Sequence, residues 1–166
     1  MFGGVDMELQ TTRDEVEQVV KQLKIDRVRF FEVSKQSYMQ IIKNTEDAFV
    51  DKSKRWNEDI HWANMGHYRS ELNVVTEIMQ EWPSWIEKLP RIIPTPNKPV
   101  YALFEDVKAY TPKYWLYEAY ICELMLVLNE TCHFDFYIVS KKFDWLISVN
   151  HHDVISYVGD NLEIGD

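Results

Sequence analysis

Apolar residues recur every three or four positions through the first half of the chain, then give way to alternating or continuous runs in the second. Val16, Val19, Val20 and Leu23 share one helical face, the spacing of an amphipathic helix. Thr12 and Glu15 stand in capping-box register at its start, with the carboxylate able to reach back to the cap amide. RVRFFEV, residues 27–33, is rich in β-formers and predicts a short strand. Ser37 can cap a second helix whose face is Tyr38, Ile41, Ile42, Thr45 and Phe49. From Trp56 to Leu72 the pattern is mixed: Trp56, Ile60 and Ala63 fit a helix, while Gly66 weakens it. Helical spacing resumes from Glu77 to Leu89 through Ile78, Trp82, Trp85, Ile86 and Leu89, with Pro83 forcing a kink or restart.

The period changes after PRIIPTPNKP, residues 90–99, a stretch expected to be extended rather than helical. VYALFED (100–106) and YWLYEAY (114–120) predict an antiparallel pair. Ile121, Leu124, Val127 and Leu128 predict a helix ending near Asn129. FDFYIVS (134–140), FDWLISVN (143–150) and DVISYVG (153–159) then read as a three-strand meander. Phe134, Phe136 and Ile138 share one face of its first strand, and Trp145, Ile147 and Val149 one face of the next. The fold class is α+β: one domain over 1–166, with a helical part at about 11–89, a proline-rich connection at 90–99, and a mainly antiparallel sheet at 100–159.

Charge narrows the function. The 166 residues carry 27 acids against 18 Lys and Arg, a net −9, which argues against nucleic-acid binding, where Lys and Arg neutralise phosphates. From Phe143 onward there are five acids, Asp144, Asp153, Asp160, Glu163 and Asp166, and no Lys or Arg; such a surface repels anions and steers a basic partner in. No run is long and apolar enough to predict a membrane span. The first residues lack the pattern of a secretory signal, so a cytoplasmic protein with reduced cysteines is expected.

The chemistry-bearing residues are sparse. NHHD, residues 150–153, offers His151, His152 and Asp153 as metal ligands, with His61 or His133 brought in by folding. The competing reading is a turn in which Asn150 and Asp153 bond local backbone. Glu-x-x-His occurs twice, Glu58 with His61 and Glu130 with His133; this is the di-iron spacing, but the second copy falls where a helix gives way to a strand. Ser140 and Ser148 lack a glycine elbow, no phosphate-binding glycine motif occurs, and Glu105 with Asp106 has no defined site around it. Cys122 and Cys132 read as buried, inert thiols. No cofactor and no catalytic residue is predicted. Aromatics are 14% of the chain, and Trp56, Trp62, Trp82 and Trp85 fall close together. Most are expected in the core, but Trp62 with Trp82 or Trp85 cannot all share one narrow helical stripe, so some are expected at a protein-binding surface.

FDFYIVSKKFDWLISVNHHDVISYVG resembles the C-terminal signature of a small uncharacterised bacterial family, in which a YYIVSK-type strand leads to a turn, a Trp-Leu strand and NHHD. That ending is similar to immunity proteins of bacterial contact-dependent and polymorphic toxin systems. KPVYALFED and KYWLYEAY extend the resemblance over about residues 98–159. It implies a sheet fold and a protein partner, and brings no catalytic residue.

The expected function is therefore a non-catalytic, acidic protein-binding protein whose partner is a basic toxin domain. Trp62, Asp144, Asp153, Asp160 and Glu163 are the candidate contact residues. The alternatives are a metal-dependent enzyme using His151, His152 and Asp153, and a structural or regulatory domain that dimerises through exposed aromatics.

Overall fold

A computed structural model describes residues 11–54, 68–106, 114–131 and 135–165. Helix α1 (Thr12–Gln22) opens with a capping box one residue earlier than the sequence reading placed it. Thr11 Oγ1 accepts from the Asp14 amide, and Asp14 Oδ2 accepts from the Thr11 amide, both at 3.1 Å. The run TTRDE can be read in either frame, and tertiary contacts choose between them. The Thr12 hydroxyl donates to the Glu105 carbonyl at 3.2 Å, and its amide to Asp106 Oδ2 at 3.3 Å. Val16, Val19 and Val20 are buried, whereas Leu23 is the C-cap and largely exposed.

Strand β1 (Phe30–Glu32) follows. Helix α2 (Lys35–Phe49) begins before Ser37, with Ser34 as N-cap. It buries Ile41, Thr45 and Phe49, three of its five expected face residues, and Tyr38 and Ile42 are partly buried beside them. A single 3₁₀ turn, Lys52–Lys54, ends this segment. Trp56, Ile60, Trp62, Ala63 and Gly66 lie outside the described residues.

The helix expected from Glu77 is corrected at its start. Val74–Ile78 is a strand, β2, and helix α3 spans Trp82–Ile92. VVTEI is dominated by β-branched residues that favour a pleated edge. Ile78 and Trp82 mimic helical spacing only because strand and helix abut there. Pro83 stands in the first turn of α3, where its missing amide removes no helical bond. The proline-rich stretch is also corrected, because Pro90 lies inside α3. It sits in the last turn, and the buried face of Trp85, Ile86, Leu89 and Ile92 holds that turn in place.

The remaining elements match the sequence reading: β3 (Val100–Glu105), β4 (Tyr114–Ala119), α4 (Ile121–Glu130), β5 (Phe136–Ser140), β6 (Leu146–Val149) and β7 (Val154–Val158). One seven-stranded sheet results, in the order β1-β4-β3-β5-β6-β7-β2, with every neighbouring pair antiparallel. The architecture is α+β as expected, with β1 and β2 from the first half forming the two edges.

Both faces of the sheet are covered. Phe104, Tyr117, Phe136, Ile138, Trp145, Ile147 and Tyr157 face α1, α3 and α4. Leu103, Leu116, Tyr137, Val139, Leu146 and Val158 face α2 with Tyr68. This two-sided burial explains why β5 and β6 read as continuous apolar runs rather than alternating ones. Trp145, Ile147 and Val149 share a face as expected, as do Phe136 and Ile138; Phe134 lies outside the described residues.

Tyr157 joins three of these elements. Its hydroxyl accepts from Trp85 Nε1 at 2.9 Å and donates to Glu77 Oε1 at 2.9 Å. Burial pushes the phenol well above its ordinary value, so it stays protonated and able to donate. Tyr157→Phe strands a buried indole N–H, and chemical denaturation should show a loss of roughly 1–3 kcal/mol.

Candidate functional site

The tight turns of the β5–β6–β7 meander position the residues singled out from the sequence. Between β5 and β6, Phe143 takes a left-handed backbone with φ 58° and stacks on Tyr101. Asp144 is then held from two sides. It accepts from the Ser140 hydroxyl at 2.5 Å through Oδ1 and from Asn161 Nδ2 at 3.1 Å through Oδ2. Its own amide donates to Ser140 Oγ at 3.0 Å.

Gly159, at φ 113°, brings the end of β7 against this turn, closely enough that a Cβ would stand 2.6 Å from the Asp144 carbonyl oxygen. Asp160, Asn161 and Glu163 are thereby carried to Asp144. With Lys98, Lys141, Lys142 and the Pro94–Thr95 pair they border an open cavity of about 520 Å³, with Trp145 also in its lining. Three of the expected contact residues, Asp144, Asp160 and Glu163, are therefore brought together. Folding also sets lysines among them, which the acid-only tail did not announce. Lys141 is committed elsewhere, paired with Glu118 at 2.9 Å.

The NHHD segment forms the β6–β7 turn. Asn150 Oδ1 accepts from the His152 amide at 2.9 Å and from the Val154 amide at 3.1 Å. Asp153 supplies the left-handed residue, φ 61°, the conformation a three-residue hairpin loop requires before its second strand. The His151 and His152 rings lie 4.0 Å apart between centroids, and His151 Nδ1 stands 3.0 Å from Asp135 Oδ1.

Among the described residues, no group of three or more His, Cys, Asp or Glu side chains is disposed to hold a metal ion. The turn reading that competed with the ligand set is present in the backbone, with Asn150 bonding local amides and Asp153 supplying the left-handed residue. His61 and His133 lie outside the described residues, so neither Glu-x-x-His pair is described whole. Of the two serines, Ser140 bonds Asp144 within the turn, and buried Ser148 accepts from the Tyr68 hydroxyl at 3.0 Å.

Trp85 and Trp145 are core residues, and Trp82 and Trp115 are partly buried against that core. Trp82 and Trp85 lie 6.1 Å apart between ring centroids, and Trp82 Nε1 donates to the Leu128 carbonyl at 2.9 Å. Trp62 lies outside the described residues. Cys122, expected to be buried, is exposed on α4; Cys132 is not among the described residues.

Sequence reasoning missed the edge strand β2. All five of its residues are exposed, Val74, Val75 and Ile78 included. The signal was the β-branched run VVTE, overridden by the helical spacing that follows it.

Among the described residues, no helix is long and apolar enough to cross a membrane. No curated protein and no solved structure matches the chain. A family model covers residues 8–164, from α1 through the cavity-lining residues after β7, and the chain belongs to that family, the family of unknown function DUF6756.

Proposed function

We propose that this is a non-catalytic protein-binding protein that receives a basic partner, in its specific form an immunity protein neutralising a bacterial toxin domain. The observation that supports this reading is the state of the carboxylates. Glu17, Glu32, Asp47, Glu71, Glu118 and Glu123 are each paired with an Arg or Lys. Asp144, Asp153, Asp160 and Glu163 are exposed and make no ion pair among the described residues. Unpaired exposed acids retain their field in solvent, and such a field accelerates encounter with a positively charged partner.

The test has two steps. Tagged protein captures partners from the native organism, and mass spectrometry identifies any that bind stoichiometrically. Stopped-flow association with that purified partner is then measured for the Asp144→Lys, Asp160→Lys, Glu163→Lys triple variant. Association at low salt is expected to slow by roughly tenfold or more, with the difference shrinking as salt rises. An unchanged rate would remove the steering argument.

A further inference from the structure

We infer that the open edge of β2 is where the partner docks, by adding an extended strand whose apolar centre is flanked by Lys or Arg. This rests on the protein-binding reading above and assigns its contact surface. The hydrogen-bond pattern sets the direction of each backbone group. The Met79 amide donates to the Asp153 carbonyl at 2.8 Å, and the Asn73 carbonyl accepts from the Gly159 amide at 2.9 Å. Odd-numbered residues therefore face β7, and alternation turns the N–H and C=O groups of Val74, Thr76 and Ile78 away from it. Of these, only the Ile78 carbonyl has a partner among the described residues, Gln80 Nε2 at 3.4 Å.

Sheet edges are ordinarily blunted by proline, lysine, a bulge or short length. β1 follows that rule: it has three residues, with Phe30 buried and Glu32 held by Arg13 at 2.9 Å. β2 does not. It has five exposed residues in continuous register with β7, no Pro or Lys, and three aliphatic side chains partly open to solvent, Ile78 the most.

Charge selects the occupant. Glu77 on the strand, Glu81 beyond it, and Asp153 and Asp160 at the two ends of β7 frame the edge. No Lys or Arg occurs at 70–81 or after residue 142; Lys88 and Arg91 of α3 approach Glu77 from one face. A second copy is disfavoured. Antiparallel pairing about Thr76 sets Val74 opposite Ile78 and brings Glu77 and Glu81 of both copies to one seam, with no Lys or Arg at 70–81 to offset them. A strand with terminal Lys or Arg meets the same acids favourably, with main-chain bonds giving affinity and side chains giving choice.

The experiment uses a short synthetic peptide, Lys-Val-Thr-Val-Thr-Val-Lys, and its counterpart with Glu at both ends. Amide exchange of the full-length protein by NMR should show new protection at Val74, Thr76 and Ile78 with the Lys peptide, and affinity for the Glu peptide weaker by roughly tenfold. Thr76→Pro removes one outward amide and leaves the β7 bonds intact, so binding should be lost with the circular dichroism spectrum unchanged. Should that variant unfold, Thr76→Lys sets a like charge against the Lys peptide and is expected to weaken it.

Protection elsewhere, no binding of either peptide, or binding indifferent to both Thr76 variants would overturn edge docking. A concentration-dependent dimer abolished by Thr76→Pro would overturn the choice of occupant in favour of a second copy. A captured partner that binds the Thr76 variants normally but the triple charge variant slowly defeats this inference and leaves the protein-binding reading intact; the reverse pattern defeats the steering argument and keeps the edge.

Discussion

Phe136→Ala is expected to lower stability by about 3–5 kcal/mol in urea denaturation, a large part of the roughly 5–15 kcal/mol a domain of this kind possesses. Phe136 is 1% exposed and sits where α3 meets the sheet. Its ring meets Trp82 edge-on at 5.7 Å between centroids, with Trp85 at 6.3 Å and Phe104 at 6.5 Å. Truncation leaves a void walled by two indoles and a phenyl ring, which are too rigid to collapse into it, so both the transfer loss and the cavity cost apply. Trp82 is further fixed through its bond to the Leu128 carbonyl, so the loss should loosen α3 against α4 as well as against β5. Leu126→Ala, at a half-exposed position on α4, is the control, with an expected change within about 0.5 kcal/mol. If Phe136→Ala cost no more than this control, the aromatic cluster would not be what secures α3 to the sheet.

What could be read from the sequence depended on how local the causes were. The β5–β6–β7 meander was legible because its turns are made within the run: Asn150 bonds the amides of its own hairpin loop, and Ser140 those of the preceding one. The β3–β4 pair was legible from its aromatic and β-branched content. β2 was not, because its partner is distant in sequence, with Val74 pairing with Val158. A five-residue strand abutting a helix offers periodicity little to separate them.

The candidate site follows the same division. The exposed acids of the tail were visible as a composition change, whereas Lys98 reaches them only through the folding of the proline-rich connection back against the β5–β6 turn. His151, His152 and Asp153 look alike in a motif search. Only the backbone shows that Asp153 supplies the left-handed residue of the turn.

Gly159→Ala couples the fold to the candidate site, and its expected cost is about 2–4 kcal/mol by denaturation. Two independent penalties act there. The residue's φ of 113° lies where a side chain is strained, a conformation worth about 1–3 kcal/mol by itself. The added Cβ would also stand 2.6 Å from the Asp144 carbonyl oxygen and 3.1 Å from the Trp145 Cα, and backbone cannot swing aside as a flexible side chain can. Relief requires the end of β7 to withdraw from the β5–β6 turn. That movement pulls Asn161 from Asp144 Oδ2 and separates Asp160 and Glu163 from the cavity they share with it. Gly165→Ala is the matched control, since nothing lies within 4 Å of its added Cβ, and its stability should change by less than about 0.5 kcal/mol. Under conditions where Gly159→Ala remains folded, it should also slow association with a basic partner, because the same acids no longer converge. A variant that loses stability but keeps the wild-type association rate would separate the turn's structural role from the proposed steering, leaving recognition to the β2 edge alone.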